Sequence, residues 1–377
     1  MELLVVPQGE FKLSRYPKRK NELLRAWDAA DEYLLNYLDQ LNFDRQGLNV
    51  LIVNDGFGAL TTALSTHIIT HWTDSWLSQQ GVKQNLPDNN LNNSTVTFKN
   101  SIETPQDDYD LVLIKLPKSH AHLEDQLVRI KPFLLDTTTV IAAAMVKSIH
   151  TSTLKLFEKY IGTTKTSLAK KKARLIFAKV DKNIPEIKSP YPRSYLLEGT
   201  DYKIINHANV FSRESLDIGT RLFIQHLPKS ECYKKIIDLG CGNGIVGLIA
   251  AEKNPDAEII FTDESYMAIQ SAQENFVNAF TAQRKAQFIV NDCLTGFENE
   301  SVDLVLNNPP FHQNNAVGDA VAWKMFKQSK KILKNSGELW VIGNRHLGYH
   351  ITLKKIFSNC EMIASNKKFV ILKSIKN

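Results

Sequence analysis

Short apolar runs alternate with stretches of helical period throughout the second half of the chain. Residues 235–238, 257–261, 288–290, 302–306 and 338–342 read as strands. Residues 245–252, 265–280 and about 320–333 read as helices between them. Such alternation predicts a parallel, doubly wound α/β sheet. The first half repeats the plan. Residues 48–53 are a strand, Asn54-Asp55-Gly56-Phe57-Gly58 a turn, and 59–65 a helix. Asp110-Leu111-Val112-Leu113-Ile114 then lines up with Asp303-Leu304-Val305-Leu306-Asn307. Each is followed by a helix, a strand (139–143; 338–342) and a second helix (about 154–157; 353–357). The matched order spans several elements, so the pattern predicts an internal duplication of a whole domain.

Asn183, Pro185, Ser189, Pro190 and Pro192 break regular structure and place a linker between Lys182 and Pro192. The expected domains are therefore 1–185 and 186–377. The polar stretch 85–93, with Pro87, Asp88 and five asparagines, reads as a surface loop.

The halves differ where chemistry would sit. With Gly58 opposite Gly244, Ile52 faces Asp238, Asn54 faces Gly240, and Lys115-Leu116-Pro117-Lys118 faces Asn308-Pro309-Pro310-Phe311. The first half is expected to keep the fold and to have lost the site. In the second half, a strand ending in Asn308-Pro309-Pro310-Phe311 surrounds one small pocket with a carboxamide, rigid carbonyls and a flat ring. The Asn308 side-chain oxygen and the Pro309 carbonyl can accept both N–H bonds of a planar amine, while Phe311 stacks on its base. An Asn-Pro turn after a strand is common, so the upstream residues carry most of the weight.

Those residues are Asp238-Leu239-Gly240-Cys241-Gly242-Asn243-Gly244, a glycine-rich turn between a strand and a helix. Such a turn also serves dinucleotide binders, but the G-x-G-x-x-G spacing is missing, and Asp238 suits a cation better than a pyrophosphate. Asp263 ends the next strand, where a carboxylate can take both ribose hydroxyls. Asp292 ends the third and could accept from an adenine amine. Either one alone is more often a turn or helix cap. Together they point to one crevice and to S-adenosylmethionine, which carries a sulfonium and an ammonium group.

Length and charge add limits. The 377 residues suffice for two domains, and a net charge of +6 permits an anionic partner such as RNA. Cys232, Cys241, Cys293 and Cys360 show no C-x-x-C pair. His346 and His350 lack the Glu of a zinc helix, so no metal site is expected. No signal peptide and no membrane-spanning run is read, and a soluble cytoplasmic protein is expected.

The ordered set from Asp238 through Asp263 and Asp292 to Asn308-Pro309-Pro310-Phe311 resembles class I S-adenosylmethionine-dependent methyltransferases acting on an amino nitrogen. A degenerate first copy before an intact second one is similar to two bacterial ribosomal RNA guanine-N2 methyltransferase families. These are the methyltransferase C family, acting on small-subunit RNA, and the methyltransferase G family, acting on large-subunit RNA. Asn209-Val210-Phe211-Ser212 and Leu216-Asp217-Ile218-Gly219-Thr220 resemble the segment entering the catalytic domain in both. Trp27-Asp28-Ala29-Ala30-Asp31-Glu32-Tyr33-Leu34, and Asn314-Asn315-Ala316 after the motif, look more like the methyltransferase G family. The resemblance implies two tandem Rossmann-like class I methyltransferase domains, the N-terminal one degenerate. It implies S-adenosylmethionine as cofactor and methylation of guanine N2 at position 1835 of 23S ribosomal RNA.

A guanine must leave its stack to reach such a pocket. Two basic clusters in the first half are candidates for docking the RNA: Lys165, Lys170, Lys171, Lys172, Arg174 and Lys179, and Lys12, Arg15, Lys18, Arg19 and Lys20. Either cluster alone is more often solvated surface. Lys115 and Lys118 are expected to add positive charge where the first site was lost. No membrane and no obligate protein partner is implied. Rival readings are the 16S RNA enzyme, a methyltransferase acting on protein glutamine or DNA adenine, and a non-catalytic RNA-binding scaffold.

Overall fold

Strand–helix alternation in the pattern becomes one seven-stranded sheet in each half of the chain. The computed structural model describes residues 3–18, 22–41, 47–280, 284–310 and 316–377. The chain divides into two units, Met1–Tyr191 and Pro192–Asn377. Ser189 and Tyr191 hydrogen-bond Asp125 and Glu124, which ties this stretch to the first unit.

The first unit opens with the hairpin β1 (Leu3–Val6) and β2 (Gly9–Lys12), then α1 (Ala29–Gln40). It continues through β3 (Asn49–Val53), α2 (Ala59–Ala63), β4 (Ile68–Thr73), α3 (Trp76–Asp88), β5 (Val96–Asn100) and β6 (Tyr109–Lys115). It closes with α4 (His120–Ile130), β7 (Leu134–Met145), α5 (Thr151–Tyr160), β8 (Thr164–Thr166) and β9 (Ala173–Lys179). The second unit begins with β10 (Arg193–Leu196), β11 (Lys203–Asn206) and α6 (Ile218–Gln225). Then come β12 (Lys235–Leu239), α7 (Ile245–Lys253), β13 (Glu258–Asp263), α8 (Tyr266–Ala279), β14 (Ala286–Val290) and β15 (Val302–Asn307). Last are α9 (Ala316–Ile332), β16 (Leu333–Asn344), α10 (Tyr349–Phe357), β17 (Glu361–Ser365) and β18 (Phe369–Ile375).

The sheets run β5-β4-β3-β6-β7-β9-β8 and β14-β13-β12-β15-β16-β18-β17, the same order when each is counted from its own first strand. Five neighbouring strands are parallel, and β9 or β18 returns antiparallel. Both faces are buried, so the strands are almost continuously apolar. Ile236, Ile259 and Leu304 pack on one side of the second sheet, and Ile237, Ile260 and Val305 on the other. Strand order reverses between β12 and β15, which opens a crevice at their carboxyl ends.

Register gives residue equivalences between the sheets. Ile52 pairs with Leu113 as Asp238 pairs with Leu306, and Val53 with Trp72 as Leu239 with Thr262. Ile52, Thr73 and Lys115 therefore hold the sheet positions of Asp238, Asp263 and Asn308.

One expectation is corrected. The stretch 85–93 is not simply a surface loop, because α3 runs through Pro87 to Asp88. Asn85 is fully buried: its Nδ2 donates to the Ser14 and Phe57 carbonyls at 2.8 Å each, and its Oδ1 accepts from Ser14 N at 3.0 Å. A carboxamide with its bonds met inside the fold is as stable there as in water, so polarity alone misleads. Among the described residues, no helix is long and apolar enough to cross a membrane.

Candidate functional site

In the second unit the chain leaves β12 through a turn pinned to its neighbour strand. Gly240 N and Cys241 N both donate to the Thr262 carbonyl, at 2.8 and 3.1 Å. Gly244 caps α7 at φ 79°, and a Cβ there would lie 2.8 Å from Ala272 Cβ, so only glycine lets α7 approach α8. Gly242, at φ 54°, has nothing within 4 Å of where its Cβ would be. That open space lies over a glycine backbone, where a ligand can approach closely. Asn243 and Asn275 hold the turn from behind. Asn275 Nδ2 donates to the Asn243 carbonyl at 2.9 Å, and Asn243 Nδ2 donates to Asn206 Oδ1 at 2.9 Å.

Three carboxylates stand where the sequence places them. Asp238 is buried on β12 and accepts from Gly247 N at 2.8 Å. Burial pushes its pKa up to about 8 and the nearby Asp263 adds to this, against the Gly247 bond. This shift favours the protonated acid near neutral pH, and a cation beside it would favour release of the proton. Asp263 ends β13 half-exposed, accepting from Gly242 N at 3.1 Å and Ser265 N at 3.0 Å. Asp292 follows β14, is buried, and pairs with Lys324 of α9. Nothing in the sequence singles out that partner.

Asn308 follows β15 at the mouth of the crevice. Its Nδ2 donates to Thr220 Oγ1 at 3.1 Å, while its Oδ1 is buried with no hydrogen-bond partner among the described residues. A buried acceptor left unpaired costs about 1–3 kcal/mol unless a ligand completes it. Pro309 is buried and Pro310 exposed. Phe311 lies outside the described residues, as do Arg19 and Lys20. Asn307, in sequence only the end of a strand, donates from Nδ2 to the Leu239 carbonyl at 2.8 Å and so joins β15 to the glycine turn. Its signal is an Asn doublet before two prolines, with the first Asn facing inward on a buried strand.

The donor set fits S-adenosylmethionine: open glycine backbone at Gly242, a half-exposed carboxylate at Asp263, and a protonated acid at Asp238 that a cation would ionise.

The equivalent region of the first unit is occupied by protein groups. Lys115 Nζ lies 2.9 Å from Asp28 Oδ1 and 2.6 Å from Asp31 Oδ1, both from the start of α1. Burial disfavours its charge, but the two carboxylates outweigh that and hold its pKa above the ordinary lysine value. Lys115 therefore offers no free charge to an RNA, contrary to the expectation from the sequence. Asn54 Nδ2 donates to the Lys115 carbonyl and to Gln126 Oε1, so a side chain bonded within the first unit stands at the position that Gly240 takes in the second.

The basic cluster of the first unit surrounds the β8–β9 hairpin. Lys165, Lys170, Lys171 and Lys172 are exposed and Arg174 is half-buried. Lys171 pairs with Glu32 at 2.8 Å, and Lys170 sits over the Tyr33 ring. Lys18 pairs with Asp88.

Comparison with known proteins is consistent across the whole length. The family model described as RLMG N-terminal domain matches residues 1–182, and the Methyltransferase small domain matches 201–373. The chain is 46% identical to ribosomal RNA large subunit methyltransferase G of Streptomyces avermitilis, covering 99% of each chain. It is 48% identical to that of Pseudoalteromonas translucida, over 97% of this chain and 96% of the other. A solved 16S rRNA N2 methyltransferase from T. thermophilus, in complex with AdoMet and guanosine, superposes with a TM-score of 0.78 at 19% identity. That alignment covers 100% of this chain and 98% of the other, and it shows a shared fold.

Proposed function

The chain belongs to the ribosomal RNA large subunit methyltransferase G family, and on that premise we propose that its second unit methylates the exocyclic N2 amine of a guanine in 23S ribosomal RNA. The observation that carries the proposal is Asn308, whose amide nitrogen is anchored and whose buried oxygen has no partner among the described residues.

S-adenosylmethionine, when bound, supplies a methyl group on a positively charged sulfur, an excellent leaving group. Asp263 would hold the ribose hydroxyls, and Asp238, ionised, would face the cationic end. Asp292 would accept from the adenine amine. Guanine N2 is a poor nucleophile because its lone pair is delocalised into the ring. Asn308 Oδ1 and the Pro309 carbonyl would accept its two N–H bonds, aim the nitrogen and favour the positive charge it develops. Phe311 would stack on the base and Pro310 would stiffen the loop. Positioning supplies most of the acceleration, and no strong general base is needed.

In this reading the first unit is a degenerate copy that recognises RNA, and the second, Pro192–Asn377, carries the chemistry. Support comes from Ile52, Thr73 and Lys115 standing at the sheet positions of Asp238, Asp263 and Asn308, and from the exposed lysines Lys165 and Lys172. The nucleotide would be guanine 1835, as the resemblance implies, in a cytoplasmic setting. The test is incubation with labelled S-adenosylmethionine and purified 16S and 23S RNA, followed by nucleoside mapping. Label in N2-methylguanine of 23S RNA is expected. Label confined to 16S RNA, to adenine or to protein would overturn the reading.

A further inference from the structure

Asn308 presents an acceptor rather than a donor to the crevice, and something must choose between the two faces of its carboxamide. The two orientations have nearly the same shape, so packing alone does not choose. We infer that Thr220, oriented by Asp217, is the positioning residue that turns the Asn308 oxygen toward the substrate amine. The inference rests on the guanine-N2 reading of the crevice.

Charge fixes the direction of the chain of bonds. Asp217 caps α6, with its Oδ2 accepting from Thr220 N at 2.9 Å. A carboxylate is acceptor-only, so the Thr220 hydroxyl, 3.4 Å from the same oxygen, points its hydrogen toward Asp217. That distance is long for a hydroxyl bond, so it biases the hydroxyl rather than locking it. The lone pairs of Oγ1 are left facing Asn308, 3.1 Å away, where they accept an N–H and repel an oxygen. With Nδ2 bound to Thr220, Oδ1 must face away from it, and this buried oxygen has no partner among the described residues. Flipping the amide would set Oδ1 against Oγ1 and offer the substrate amine a second donor. The relay thus distinguishes an amino group from a carbonyl at the same place in the substrate.

The fold brings these residues together by close packing. Gly219, between Asp217 and Thr220, leaves room where a Cβ would lie 2.9 Å from the Phe369 ring, so the first turn of α6 sits against the start of β18. Thr220 is buried there and reaches a residue 88 positions later in the chain.

The test compares Thr220→Val, which keeps the shape and removes the hydroxyl, with Thr220→Ser, which keeps the hydroxyl. Both are assayed on 23S RNA for kcat and KM, and for S-adenosylmethionine affinity by calorimetry. The expected result is a kcat lower by roughly 10–100-fold in Thr220→Val, with cofactor affinity within about twofold and Thr220→Ser within about threefold of the parent. If Thr220→Val does not fold, Thr220→Ala against Thr220→Ser isolates the same oxygen. Equal kcat in the hydroxyl-free variant and the parent would overturn the relay, as would an equal loss in both variants. Parent protein that makes no N2-methylguanine at all would overturn the underlying reading, and the relay with it.

Discussion

Lys115 stands at the carboxyl end of the first sheet in the position that Asn308 takes in the second. One is an anchored carboxamide with an unpaired oxygen, and the other an amine held between Asp28 and Asp31. The same strand end keeps a buried acceptor unpaired among the described residues in one unit and is bonded internally in the other. Lys115 is therefore part of what holds the first unit together.

Replacing Lys115 by Met would strand two carboxylates, one of them buried. Removing one partner of a buried pair is destabilising by about 3–5 kcal/mol. Burial pushes the Asp31 pKa up to about 6 even with Lys115 present, so the variant should recover stability as pH falls and Asp31 takes up a proton. Denaturant midpoints of the full chain at two pH values check this. A loss below about 1 kcal/mol, or no recovery in acid, would show that the pair does not matter to the fold.

Asn308→Ala should lower kcat on 23S RNA by roughly 100–1,000-fold, the range seen when one polar group that stabilises developing charge is removed. Binding of S-adenosylmethionine should be unchanged, because the proposed role of Asn308 is to hold the substrate amine. Calorimetry beside a methylation assay separates the two. A variant that also fails to bind the cofactor would move Asn308 from substrate handling to cofactor support.

Asp238 gives a pH signature. Its folded pKa of about 8 lies above its ordinary 3.8, so the folded chain holds a proton that the unfolded chain has lost. The stabilisation this provides is complete below about pH 4 and falls as pH rises toward 8, by at most about 1.4 kcal/mol per unit. Asp238→Asn should flatten that fall. Cofactor binding should also release a proton from the parent near pH 7 and none from the variant. Calorimetry in two buffers of different ionisation heat reads the proton directly, and equal heats for the parent would rule the coupling out.

How much of this is legible in the chain depends on how local the determinant is. Alternating apolar runs reveal both sheets, because strands buried on both faces need nothing beyond their own residues to be recognised. Asp238, Asp263, Asp292 and Asn308 are legible as one crevice because parallel strands bring their carboxyl ends to the same edge. Partners are not. Thr220 meets Asn308 across 88 positions and Lys115 meets Asp28 across 87, and nothing near either residue signals the meeting. Lys115 accordingly reads as surface charge, and Asn85 as part of a loop. A polar side chain reads the same whether water or protein completes its bonds.

The exposed lysines test the RNA surface. Lys165→Ala with Lys172→Ala should weaken RNA binding. The slope of log affinity against log salt should fall by about 0.7–0.9 for each phosphate no longer neutralised. Lys171→Ala should do less, since Glu32 already pairs with it. Fluorescence binding titrations at several salt concentrations measure the slope. An unchanged slope would place the RNA elsewhere.

In the proposed reading, the second crevice methylates guanine N2 in 23S RNA and uses Asn308 to do so. Nucleoside mass spectrometry of 23S RNA from cells lacking this protein, complemented with the parent or with Asn308→Ala, tests it most directly. One N2-methylguanine should be missing in the deletion, return with the parent and stay absent or faint with the variant. Unchanged N2-methylguanine in the deletion, or full restoration by Asn308→Ala, would contradict it.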